Sequence, residues 1–153
     1  MDLTLPLDHA AIERILLHRY PFLLVDRVTE LEIDKRIVGI KNVSRNDHYL
    51  SHEAGGASVF PPTLLTEAIA QVGAILILAK PENRQRLPLL AGIKRFRFRG
   101  AVKPGEVIEM EAHVIRLGSR MGVLEGVARV DGKVVADGTM TCALGPAQSP
   151  ASS

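Results

Sequence analysis

The sequence predicts an α+β fold in which a curled antiparallel sheet wraps one long buried helix. Three observations lead there. Residues 62–80 run apolar almost all round the helical circumference, directly after two prolines that suit a helix start. The chain beyond them alternates apolar and polar side chains with the period of two that belongs to strands. One long helix followed by several long strands is the order of an α+β domain rather than of alternating βαβ units.

The bulk composition narrows the class. At 153 residues, 46% hydrophobic and 24% charged, the chain suits one globular domain, placed at residues 1–144. Residues 145–153 are dominated by Pro, Ala and Ser and are expected to be a disordered tail. A net charge of +2 with no tryptophan gives no argument for nucleic acid, although an acidic protein partner remains compatible. Cys142 is the only cysteine, so no intrachain disulfide is possible, and its apolar strand suggests a packed thiol. The start of the chain has no basic region followed by an apolar run, so a cytoplasmic protein is expected. The uninterrupted apolar run at 72–79 is far short of the roughly 20 residues that span a bilayer, so no membrane is expected.

Taken in order, Asp8 can cap a short helix over residues 10–17, where Ala11, Ile12, Ile15 and Leu16 follow helical spacing, and Pro21 ends it. An apolar strand should follow through Val28, then a more polar strand over about 30–43. Residues 44–59 read as a loop with His48, His52 and Glu53 beside the Gly55-Gly56 pair. After the core helix, 81–86 is a polar connector. Residues 93–99 alternate, with Phe96 and Phe98 on one face and Arg95, Arg97 and Arg99 on the other. Residues 106–117 form a further strand, and Asp131-Gly132 marks a tight hairpin between two long ones.

Within the core helix the polar exceptions are informative. Thr63, Glu67 and Gln71 recur every four residues and form one stripe on a single face. A carboxylate placed there is either paired or in use. Histidines and acids show no zinc-type spacing, so no metal is implied.

His18-Arg-Tyr-Pro-Phe-Leu-Leu-Val-Asp-Arg-Val28 and Phe60-Pro-Pro-Thr-Leu-Leu-Thr-Glu-Ala-Ile-Ala-Gln71, with the weaker Phe96-Arg-Phe-Arg99 and Val102-Lys-Pro-Gly-Glu106, resemble motifs of the FabA/FabZ dehydratases. These act on 3-hydroxyacyl groups carried by acyl carrier protein. The resemblance covers about residues 15–144. It implies a hot-dog fold, a homodimer or an oligomer built of dimers, and active sites at the subunit interface. A loop histidine of one subunit there faces a helix carboxylate of the other. By this likeness His52 is the base and Glu67 the acid, while Phe60, Pro62, Thr63 and Gln71 line the substrate. The substrate rides on the phosphopantetheine of the carrier or on coenzyme A, with no further cofactor. The basic strand Lys94, Arg95, Arg97 and Arg99 is the candidate surface for the acidic carrier, against the plainer reading of a solvated face.

The pairing suits the chemistry. Taking a proton α to a thioester wants a base near neutral pH, and expelling a β-hydroxyl wants an acid. Two departures from the family pattern stand out. The family's Gly-His-Phe-Pro is Ser51-His52-Glu53-Ala54 here, so an ungapped alignment puts Glu53 in the histidine position, and a one-residue insertion restores His52. The family glycine whose N–H holds the thioester carbonyl is Pro62, which has no N–H to donate, so donors from Thr63 onward take its place. His48 is read as a surface residue and His18 as a structural one. Two other readings stay open beside dehydration: a hot-dog thioesterase, and a non-catalytic subunit that binds acyl carrier or acyl chain.

Overall fold

The computed structural model describes residues 3–50 and 58–147. Its elements are α1 (His9–Ile15), β1 (Arg27–Glu32), β2 (Arg36–Asn42), α2 (Pro62–Leu78), β3 (Arg86–Phe98), β4 (Val107–Leu117), β5 (Met121–Val130) and β6 (Lys133–Ala147), with a 3-10 turn at Pro81–Asn83. The strands make one sheet in the order β1-β2-β4-β5-β6-β3 with every pairing antiparallel. All six strands reach α2, which requires the sheet to curl around the helix. This is the α+β hot-dog arrangement. Among the described residues, no helix is long and apolar enough to cross a membrane.

α2 begins where expected, with Pro61 as N-cap and Pro62 in the first turn, and every residue over 68–78 is buried. Such an all-round apolar rod can sit this close to a sheet only where the sheet gives it room. A Cβ built on Gly126 of β5 would lie 2.4 Å from Ile69 Cγ2, and one on Gly73 would lie 2.6 Å from Leu124 Cδ1. These two glycines set the depth at which helix and sheet meet.

Local chemistry explains the ends of the other elements. The Asp8 side chain accepts from Ala11 N at 2.8 Å and caps α1. That helix stops at Ile15, earlier than expected, because Leu16 turns extended and Arg19 donates to the carbonyls of Leu16 and Glu13. The Asp131-Gly132 hairpin is present, both residues at positive φ of 48° and 75°.

Several expectations are corrected. The apolar strand before Val28 becomes a strand only at Arg27: Leu24 N bonds a side chain of α2, and Asp26 N is the first of the segment to bond β2, at Ile40 O. The single polar strand over 30–43 is two strands folded on a turn at 33–35, where Asp34 takes φ 65°. The 81–86 connector gives way at Arg86 to β3, which is far longer than 93–99. Its pairing with β6 slips between Lys94 and Arg97, with Arg95 at φ 54°, and this breaks the strict alternation. Phe96 accordingly packs on the core while Phe98 is 46% exposed. β6 runs to Ala147, beyond the expected boundary at Leu144, because Arg86 donates to the carbonyls of Leu144 and Gly145. Residues 148–153 of the expected tail lie outside the described residues.

Candidate active site

Glu67 and Gln71 stand one helical turn apart on α2, facing the segment that joins α1 to β1. Gln71 is 1% exposed. Its Oε1 accepts from Leu24 N at 2.8 Å, which fixes which way the amide points, because an amide nitrogen there would meet another donor. Its Nε2 then donates to Phe22 O at 2.8 Å and to Glu67 Oε1 at 2.9 Å. With both its hydrogens and its oxygen engaged, Gln71 braces Glu67 against the 22–24 backbone, and it lines a cavity together with Glu67.

Glu67 is half-buried at the wall of a cavity of about 250 Å³. His18, Phe22, Pro88, Leu89, Leu90 and Cys142 complete much of that wall. His18 Nε2 is 3.5 Å from Glu67 Oε1. Burial pushes the Cys142 thiol up to about 11, and the charge of nearby Glu67 adds to the shift, so Cys142 is a packed thiol as expected.

His52 and Glu53, the two residues considered for the base position, lie outside the described residues. The flanks of that segment are held together by Arg45 Nη1, which donates to Ser58 Oγ at 2.8 Å. On the leading flank, Asp47 accepts from Ser44 N and from Lys41 Nζ. Tyr49 lies edge-on to Phe22 at 6.3 Å, and Phe22 lies 6.0 Å from His18, so aromatic rings link the loop to the Glu67 cavity. His48 meets only the Tyr49 ring among the contacts of this group.

At the helix start, Thr63 is exposed and Pro62, the first helical residue, has no N–H. Pro61 O takes the N–H groups of both Leu64 and Leu65, so among the described residues Thr63 N–H is the donor of the first turn left without a bond. Phe60 is 3% exposed and its N–H bonds Val102 O. It is absent from the lining of the Glu67 cavity and anchors the entry to α2 in the core.

The basic strand is only partly free. Arg97 and Arg99 both bind Asp137, each at 2.6 Å. The hydrogen bond from Arg99, aided by that from Arg97, holds the Asp137 carboxyl below its usual range despite some burial. Lys94 and Arg95 are exposed and make no ion pair among the described residues.

His18, which the sequence suggests is a structural residue, lines the Glu67 cavity. No spacing rule links it to Glu67, 49 positions on; the contact arises only once Gln71 has drawn the 22–24 backbone onto α2.

Comparison with known proteins agrees with this geometry. Residues 16–139 match the FabA-like domain family. The chain is 48% identical over 139 residues to the 3-hydroxyacyl-(acyl-carrier-protein) dehydratase FabZ of Bacillus subtilis (strain 168), covering 91% of this chain and 99% of the relative. It is 48% identical over 139 residues to the FabZ of Moorella thermoacetica, covering 91% and 97%. Among solved structures, the dehydratase heterocomplex ApeI:P from Xenorhabdus doucetiae shares the fold with a TM-score of 0.78 at 20% identity, covering 88% of this chain and 91% of that one. A hypothetical thioesterase from Streptococcus pneumoniae TIGR4, solved with coenzyme A, shares it less closely, with a TM-score of 0.57 at 14% identity over 80% and 87%. The chain belongs to the FabA-like family, as a dehydratase of the FabA/FabZ type.

Proposed function

We propose that this protein dehydrates (3R)-hydroxyacyl thioesters borne on acyl carrier protein to trans-2-enoyl thioesters, in fatty-acid-type biosynthesis. The observation that carries the reading is the Glu67 carboxyl, half-buried beside an apolar cavity on the helix of a FabZ-like chain, with one oxygen held by Gln71. In the reaction His52 takes the α-proton, the C–H electrons form the Cα=Cβ bond, and the β-hydroxyl leaves with a proton from Glu67 as water. The Thr63 N–H polarises the thioester carbonyl in place of the donor that Pro62 lacks. Acid and base suffice, so no metal or cofactor beyond the carried pantetheine is required.

The acting unit is a homodimer joined along β3. That strand is a sheet edge, and it exposes Leu89, Leu90, Ile93 and Phe98. Pro88, Leu89 and Leu90 also line the Glu67 cavity, so a second copy on this edge closes the cavity. Lys94 and Arg95, which make no ion pair among the described residues, steer an acidic carrier.

Incubation with a 3-hydroxyacyl thioester on carrier protein and on coenzyme A, with products read by mass, tests the assignment. Loss of 18 Da to the enoyl thioester, faster on the carrier, is expected. Free acid without enoyl product would mean a thioesterase, and binding without turnover a non-catalytic subunit.

A further inference from the structure

Glu67 has two oxygens, and the protein treats them differently. Oε1 receives Gln71 Nε2 at 2.9 Å and faces His18 Nε2 at 3.5 Å, while no bond to Oε2 is made among the described residues. His18 is itself set in place. Its ring lies 6.0 Å from that of Phe22, and its Nδ1 is buried with no hydrogen-bond partner among the described residues.

That orphaned nitrogen decides the tautomer. A proton on Nδ1 would bury an N–H with no acceptor and turn the Nε2 lone pair toward a carboxyl oxygen. A proton on Nε2 leaves only a bare ring nitrogen without a partner and points the N–H at Oε1. At 3.5 Å this contact is at the outer limit of a hydrogen bond, of the kind that tightens when substrate fills a site.

We propose that His18 is a positioning residue for Glu67: its Nε2–H and the Gln71 amide together hold Oε1, so that Oε2 is the oxygen that carries and delivers the proton. This rests on the reading of Glu67 as the acid. When the substrate C–O bond breaks, the Oε2 proton passes to the departing hydroxyl, water forms, and charge appears on the carboxylate. The two donors on Oε1 bind that carboxylate more strongly than the neutral acid, so their effect falls on the chemical step rather than on substrate binding.

The test compares His18→Phe, which keeps a ring against Phe22 but has no donor, with His18→Gln, whose Nε2 can reach the same oxygen. Both are assayed in the full chain with a 3-hydroxyacyl-carrier substrate, and thermal midpoints are measured alongside. His18→Phe is expected to lower kcat by roughly 10- to 100-fold, less than the loss of a donor aimed at the substrate oxyanion itself, with KM within about 2-fold. His18→Gln should recover most of that loss. Wild-type kcat in His18→Phe would overturn the proposal. So would equal losses in both variants that follow their thermal midpoints, since they would show His18 to be structural. Glu67→Gln separates the two layers: full activity there would refute the acid assignment itself, whereas a dead Glu67→Gln beside an unaffected His18→Phe would refute only the role of His18.

Discussion

At Glu67 and its neighbours the chemistry turns on which groups can still act once their bonds are made. Gln71 is spent on Leu24, Phe22 and Glu67, and so fixes the Glu67 carboxyl. The base is assigned by the loop register. If the loop carries one extra residue relative to its family, His52→Ala removes turnover and Glu53→Ala leaves most of it; steady-state rates of the two variants check this. The opposite outcome, an unaffected His52→Ala, would place Glu53 in the site and bring two carboxylates together. The helix half of the site was legible in sequence because a period of four on an apolar rod leaves few innocent explanations for a carboxylate. The contact of His18 with Glu67 was not legible. Its contact depends on a side chain to backbone clamp between segments 47 and 49 positions apart, and no local pattern encodes that.

Among the elements, the sheet is fastened at its centre by charge as well as by ladder bonds. Glu111 of β4 lies between Arg36 of β2 and Arg129 of β5, bonding both, with His113 also at 2.8 Å. Burial works to raise the Glu111 pKa, but the hydrogen bonds from Arg36 and Arg129 outweigh it and hold the carboxyl at about 2, below its ordinary 4.5. The folded state therefore binds the proton less readily than the unfolded chain does. The stabilisation is complete above pH 4.5 and is lost as pH falls from there towards 2. Glu111→Gln should be less stable than wild type near neutral pH, and the gap should close through that acid window; denaturant midpoints measured between pH 7 and pH 3 check it. Legibility at this level was uneven for physical reasons. The Asp131-Gly132 hairpin uses residues suited to positive φ and was evident. The β1–β2 turn rests on Asp34 alone, with no glycine or proline to mark it, so the sequence reads through it as one strand. The first half of β3 contains Pro88, which argues against a central strand but is tolerated at a sheet edge, where β3 lies.

For the whole molecule, the decisive issue is whether one chain contains a complete site. The described part of the chain presents the Glu67 carboxyl at a cavity walled by its own edge strand, and that edge exposes an apolar row. A two-fold interface is self-complementary, so whatever one subunit lends across β3 it also receives. This makes a sharing arrangement testable by complementation. Take one chain carrying His52→Ala and another carrying Glu67→Gln, each inactive alone as a homodimer. If His52 of one subunit works with Glu67 of the other, a hybrid dimer has one doubly damaged site and one wholly native site. Random reassociation of an equal mixture makes half of the dimers hybrids, so about a quarter of wild-type turnover should return. If both groups of a working pair come from the same chain, no mixture recovers anything, because every site keeps its lesion. The measurement needs unfolding and refolding of the two variants together, sedimentation to confirm dimers, and the enoyl product assay. A recovered quarter would place the site between subunits and make the exposed edge of β3 part of the catalytic apparatus; no recovery from properly formed dimers would put base and acid in one chain and leave the dimer a purely structural role.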